Sequence, residues 1–262
     1  MTYSKVRGVK ISEDRIEHVR QELVTSMETY SVIRRVLRPI SLRDHPARAE
    51  RKGEFHKIGV SEVTDKIWFV EGSFPEGYYA VMGIGTSYAL EIAKTETVYL
   101  MNAISRACRK AEREIHYPDT LTPTVIYDAA NILTERGFDP NFVFTNVRDH
   151  VDLWRYHPPY GGFGRDTYLD MPGHTPLTVD FAPEVPSGTS YVIDREQFGK
   201  LVLKEDLDIS VSEITDEEKP AIIKDLPELK GQELEEKVKL VVQEILRIDI
   251  DNSAAIIPIR KR

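Results

Sequence analysis

The sequence predicts an α+β protein, and three observations carry that reading. Ala89, Ala93, Leu100, Ala103, Ile104, Ala107, Ala111 and Ile115 form one stripe at three- and four-residue spacing, with Arg106, Arg109, Lys110, Glu112 and Arg113 largely outside it, the signature of a long amphipathic helix. Val238, Leu240, Val242, Leu246, Ile248 and Ile250 share one face on a period of two. That favours a long strand over the helical alternative Leu234, Val238, Val241 and Ile245, which leaves Ile248 and Ile250 unexplained. Between these segments, residues 122–156 read as helix, strand and helix.

Composition narrows the class. The 262 residues are 41% hydrophobic and 30% charged, apolar enough for a core and too apolar for overall disorder. A single cysteine, Cys108, excludes a disulfide framework and a cysteine-based zinc cluster. No apolar run approaches the roughly 20 residues that span a bilayer, and residues 1–7 lack an apolar signal region. These patterns predict a soluble protein of a reducing compartment, with no membrane contact. The net charge of −8 argues against a dedicated nucleic-acid binder. The charge is uneven, however. Arg34, Arg35, Arg38, Arg43, Arg48, Arg51 and Lys52 face only Asp44 and Glu50 within 34–52, whereas residues 204–249 carry fourteen acids against seven bases. A basic arm and an acidic C-terminal third suggest partners across subunits.

The elements follow in order. Ser12 is a candidate cap, Ile11 and Ile16 form a hydrophobic staple, and Ile16, Val19, Leu23, Met27 and Tyr30 continue the apolar face of a helix that Pro39 stops. Residues 40–53, rich in arginine and punctuated by Pro46, read as an extended arm. Phe55, Ile58, Val60, Val63, Ile67, Phe69 and Val70 predict a two-stranded excursion over 54–75, with its tip near Ser61–Lys66. The long helix is placed at Ser87–Ile115, about 43 Å at ~1.5 Å per residue, and Tyr117-Pro118 ends it. Thr122 caps the next helix, Pro123 takes its first position and Gly137 ends it. Phe142–Thr145 is a strand, and Asn146 caps a short helix from Val147 to about Tyr156. Residues 157–173 form a loop rich in glycine and aromatics. Strands are expected at Leu177–Phe181, Tyr191–Ile193, Leu201–Leu203 and Leu207–Val211. Residues 213–236 read as an exposed acidic insertion. A last strand covers Ala254–Ile259, its Pro258 suited to an edge.

No catalytic, cofactor or metal site emerges. Seven histidines show no paired metal-ligand spacing, no serine sits in a nucleophile elbow, and Cys108 reads as a buried, inert thiol in mid-helix. Gly83-Ile84-Gly85-Thr86-Ser87 precedes the long helix, and a helix N-terminus attracts phosphate. It lacks both the lysine of a P-loop and the third glycine of a dinucleotide fingerprint. Tyr156, Tyr160, Phe163 and Tyr168, among glycines, suit a contact surface.

The order of elements resembles the major capsid proteins of tailed bacteriophages and archaeal viruses, and their relatives the encapsulins. Local passages agree: Ala129 to Asn146 with its Gly137 and Pro140, Trp154 in the following helix, Pro172 to Val179, Val185 to Asp194, and the closing Asp251 to Pro258. The resemblance implies an N-terminal helix and arm at 1–53, an E-loop-like β excursion at 54–80, a P domain with a long spine helix from 81–118 and 198–250, and an A domain from 119–197 and 251–262. It implies no enzyme but a shell subunit that self-assembles through pentamers and hexamers into an icosahedral capsid enclosing a viral genome, located in the virion and assembled in the host cytoplasm. Arg34, Arg35, Arg38, Arg43, Trp68, Phe69, Tyr156, Tyr160, Phe163 and Tyr168 are then candidate intersubunit contacts. Further partners would be a separate scaffold, portal or decoration protein, and packaged DNA or cargo protein held without sequence-specific binding. Two alternatives stand beside this: an encapsulin shell around a cargo enzyme, and, in another class, a cytosolic α/β enzyme with a phosphate-binding loop at 83–87.

Overall fold

A computed structural model of the chain describes residues 3–6, 9–64, 76–109, 113–156, 167–170, 175–213, 216–217, 219–220, 224 and 238–262. The chain divides into two compact units, each gathered from three stretches: Met1–Ser31, Phe55–Ala93 and Lys204–Leu246 in one, Val32–Glu54, Lys94–Leu203 and Arg247–Arg262 in the other.

An antiparallel pair, β1 (Tyr3–Val6) and β2 (Val9–Ser12), opens the chain where sequence patterning gave no strand signal. Helix α1 (Glu13–Tyr30) starts directly after Ser12 and buries Leu23 and Met27. The expected continuation to Pro39 is corrected. A separate short helix, α2 (Val32–Val36), follows and buries Val32, Ile33 and Val36.

The expected arm over 40–53 is not extended throughout. Residues Arg38–Ser41 form β3, paired in parallel with Lys200–Leu203, and Pro46–Glu50 form a 3₁₀ turn. Strand β4 (His56–Thr64) pairs antiparallel with Val238–Leu246, from His56 opposite Leu246 to Thr64 opposite Val238. Of the predicted tip region Ser61–Lys66, residues 61–64 are paired, with a strand distant in sequence, and residues 65–66 lie outside the described residues. Residues 65–75, with Trp68 and Phe69, lie outside the described residues. At Gly59 a Cβ would lie 2.5 Å from the Val242 carbonyl oxygen, so the approach of β4 to its partner requires glycine.

Helix α3 (Glu76–Cys108) spans 33 residues, about 50 Å at ~1.5 Å per residue. It begins and ends earlier than the apolar stripe implied. Gly83 and Gly85 lie inside it, because two isolated glycines cost only about 1 kcal/mol each against alanine and an apolar run on either side outweighs that. This removes the geometric basis of a phosphate loop at 83–87: the unpaired amides of a helix belong to its first turn, here at Glu76. Cys108 is correspondingly the last helical residue, half-buried rather than in mid-helix. Ile115 leaves the stripe altogether and belongs to β5 (Ile115–Tyr117).

The next stretch follows expectation. Thr122 is extended (φ −118°, ψ 157°) ahead of α4 (Pro123–Glu135), although its side chain makes no capping bond, and Gly137 takes φ +85° just beyond the end. Then come β6 (Phe142–Thr145) and α5 (Val147–Tyr156), with Asn146 Oδ1 accepting from the Arg148 amide. Tyr168, expected in a loop, lies in β7 (Thr167–Leu169), which pairs with β8 (Leu177–Phe181). After β9 (Thr189–Ile193) and the short α6 (Arg195–Phe198), the two strands expected over 201–211 are one, β10 (Gly199–Glu213). Strand β11 (Val238–Ile250) matches its period of two, and β12 (Ile256–Lys261) ends the fold.

Two larger sheets result, ordered β3-β10-β11-β4 and β5-β12-β9-β6-β8-β7. In the six-stranded sheet β12 is interior, not an edge. Pro258 is tolerated there because Lys261 donates toward Gly188 and Arg262 toward Tyr117. By alternation, the amide missing at 258 faces β5, whose pairing begins only at Ile259. Leu121, Ile126, Ala129 and Leu133 around α4 join Val143, Val179, Val192, Ile257 and Ile259 in one buried cluster.

Candidate functional site

The charged segment 34–52 is where sequence and structure meet. Arg34, on α2, places Nε 3.3 Å from Oε1 of Glu96, which is fully buried on α3. Arg35 donates from Nε to Oδ2 of Asp180 on β8 at 2.5 Å. Both acids are removed from water, where an unpaired carboxylate is costly, so these two arginines serve their own chain. Arg38 is exposed on β3. Arg195 donates from Nη1 to the Arg35 carbonyl at 2.9 Å, and its guanidinium stands 5.3 Å from the Phe142 ring centre. Arg34, Arg35, Arg38 and Arg195, with Pro39 and Glu196, line a cleft of about 420 Å³. A neighbouring cleft of about 350 Å³ shares Arg38 and adds Asp44, His45, Arg48 and Lys200. Arg43 is exposed and lines neither.

Beyond these lies a clasp. Arg247, buried at the end of β11, donates to both oxygens of Asp249 (2.7 and 3.2 Å) and to the carbonyls of Arg48 (2.6 Å) and Arg51 (3.1 Å). Arg48 reaches Asp249 at 3.3 Å and both oxygens of Asp251 at 3.2 and 3.0 Å, and Arg51 also pairs with Asp251. Burial alone would push Asp251 up. The hydrogen bonds and charges of Arg48 and Arg51 outweigh it and hold this carboxyl below the usual range.

A third cleft, about 440 Å³, is lined by Asp119, Arg148, Asp149, Asp152, Arg155 and Lys261 among others. Asp149, nearly buried, accepts from the Tyr117 hydroxyl and the Gly188 amide, each at 3.1 Å. Burial pushes its carboxyl above the usual value, against the pull of those two bonds. His150 packs 4.5 Å from the Phe181 ring and is held toward its neutral form by burial, with Asp180 opposing. Burial pushes the Cys108 thiol up to about 12, far from thiolate chemistry. Among the described residues no three metal-type ligands gather, and no helix is long and apolar enough to cross a membrane.

The sequence-derived candidates are thus scattered. Arg34, Arg35 and Arg38 share one cleft, and Tyr168 is 56% exposed on β7. Tyr156 closes α5, while Tyr160 and Phe163, like Trp68 and Phe69, lie outside the described residues. Sequence reasoning missed Arg195, Arg247, Asp249 and Asp251. Arg247 and Asp249 occupy the polar phase of a half-apolar strand, and periodicity says nothing about burial of that phase. Exposed Val147 and Val151, one turn apart on α5, were also passed over, since two valines make no pattern.

The chain superposes on a virus-like particle from Pyrococcus furiosus with a TM-score of 0.54, covering 95% of this chain and 100% of that one at 10% identity. The chain has the tailed-phage major capsid fold. Subunits from Mycobacterium phage Adephagia (TM-score 0.52, 7% identity) and Mycobacterium phage Cain (0.51, 8%) also match, each over 79% of this chain and 72% of theirs. No protein-family model and no curated protein matches the sequence. In this capsid fold the agreement resides in the backbone path, set by which positions are apolar rather than by which residue fills each.

Proposed function

We propose that the protein is a structural shell subunit that self-assembles into an icosahedral container, a viral capsid enclosing its genome. The observation that carries this reading is the extent of the superposition: 95% of the chain is matched to the subunit of a virus-like particle. On this reading residues 1–53 act as N-terminal helix and arm, 54–80 as the E-loop excursion, 81–118 and 198–250 as P domain, and 119–197 with 251–262 as A domain. Pentamers and hexamers form around the A domain. Exposed Arg38, Arg43 and Tyr168 are contact candidates, as are Trp68, Phe69, Tyr156, Tyr160 and Phe163. The role is mechanical, not catalytic, in the virion, with assembly in the host cytoplasm and a scaffold, portal or decoration protein as further partners.

A second reading keeps the same fold and changes the contents: an encapsulin-type shell around a cargo enzyme. Negative-stain electron microscopy of the purified full chain, with light scattering for mass, tests both. Closed shells or rings of five and six are expected. A uniform 30.0 kDa monomer at high concentration would overturn the shell reading. Nuclease-protected DNA inside the shells supports the capsid, and a co-purifying enzyme supports the compartment.

A further inference from the structure

We infer that the cleft lined by Arg34, Arg35, Arg38 and Arg195 receives the acidic run Glu205–Asp208 of a second copy of this chain. This rests on the shell reading above and names the partner of one of its surfaces.

Internal charge accounting carries the argument. Seven basic residues in 34–52 look like one undifferentiated patch in the sequence. The fold splits them. Arg34 and Arg35 hold buried Glu96 and Asp180, while Arg48 and Arg51 hold Asp249 and Asp251. Arg38 is exposed, and its side chain makes no hydrogen bond or ion pair among the described residues. Arg195 has a carbonyl and an aromatic face but no carboxylate among them. The one acid in the cleft, Glu196, is 3.5 Å from Lys200. The cleft therefore carries surplus positive charge concentrated on two guanidinium groups.

One of the two is already fixed. The bond to the Arg35 carbonyl and the Phe142 face hold the Arg195 fork in place, so less side-chain entropy is lost when a carboxylate arrives, and a planar fork suits bidentate capture. The cleft, about 420 Å³, fits one or two carboxylate side chains. A nucleic-acid backbone instead asks for a longer track of cations to neutralise successive phosphates.

The complementary surface lies on the same chain. Glu205, Asp206 and Asp208 are exposed on β10, where Asp206 and Asp208 share a face about 7 Å apart. Arg20, half-buried, approaches Asp208 only to 3.7 Å, a pair worth little at a surface position in water. A cleft on one patch engaging acids on another is a head-to-tail contact, the kind that closes rings. Copies of a chain with net charge −8 repel on average, so such a local attraction sets which faces meet.

The test uses the full chain, with the concentration threshold for assembly read by light scattering at low and high salt. R38E alters an exposed side chain that has no hydrogen-bond or ion-pair partner among the described residues, so its melting temperature is expected to equal that of the wild type. Its assembly threshold is expected to rise about tenfold or more, as close interfacial charge pairs warrant. D206R is expected to raise it similarly, and R38E/D206R to return to within about threefold of wild type. R38E assembling at the wild-type threshold would overturn the inference, as would an R38E defect that neither D206R nor D208R relieves. R38E shells that form normally but lose co-purifying nucleic acid would assign the cleft to phosphate instead. Absence of wild-type assembly at any concentration would fell the shell reading itself, and this inference with it.

Discussion

In the six-stranded sheet, β6 buries all four of its side chains, and its single polar member, Thr145, is satisfied by Ser190 at 2.7 Å. In the clasp at the end of β11 the buried groups are ionic: Arg247 and Asp249, joined to Arg48 and Asp251. Both devices fix a strand against distant chain. The first draws on burial of apolar surface, which neither pH nor salt alters much. The second draws on charges that must all be present together, because a buried ion missing its partner destabilises more than the pair stabilises. One unit of the protein thus contains a part that is insensitive to its surroundings and a part that acid can loosen.

Substitutions sharpen the contrast. Phe144→Ala, at a fully buried ring, is expected to cost about 3–5 kcal/mol, with the same loss at pH 7 and pH 4 in urea titrations. Arg247→Met should cost about 3 kcal/mol by removing the main partner of Asp249 and the donor to two carbonyls, and Arg247→Met combined with Asp249→Leu should recover the part due to the carboxylate. Equal costs for the single and double variants would break the comparison.

Acid separates two aspartates by sign. The Asp251 carboxyl is held below its unfolded value. The stability it contributes is present above the ordinary aspartate pKa of about 3.9 and lost as pH falls through the lower, folded one. Asp149 is raised: its folded form takes up a proton first, so its contribution grows as pH falls through the folded value and is complete below the unfolded one. Wild-type protein should therefore lose stability below about pH 4 more steeply than Asp251→Asn, and as acid is added just above that pH it should lose stability less steeply than Asp149→Asn, in urea midpoints measured across both ranges. The smallest effect is expected at Tyr168→Ser. On an exposed side chain it should shift stability by no more than about 0.5 kcal/mol, while weakening assembly if Tyr168 is a subunit contact.

The same division decides what could be read from the sequence. Phe142–Thr145, Leu177–Phe181 and Val238–Ile250 are strands whose apolar positions state their own period, and all three lie where patterning put them. The clasp was illegible because Arg48, Arg51, Arg247 and Asp251 are surface residues by type, and only the fold brings them together and buries Arg247 among them. The long helix was placed too far along because a strand such as Ile115–Tyr117 can prolong a helical stripe by chance. Gly83 and Gly85 also looked like a break when they were only weak links. The arginine cleft was half-legible: three of its four guanidinium groups are neighbours in sequence, and the fourth, Arg195, arrives through a strand and a turn that no local pattern connects to them.

Strand β12 has a consequence for how the protein comes into being. It lies between β5 and β9, and β5 joins the rest of its sheet only through it. Until residue 261 has left the ribosome, Ile115–Tyr117 has no strand to bind and β9 keeps an open edge. Pairings this remote in sequence form slowly and late, and an open edge invites wrong partners while it waits. The six-stranded sheet therefore closes around a strand made after all five of the others, which places the completion of that sheet under the control of β12.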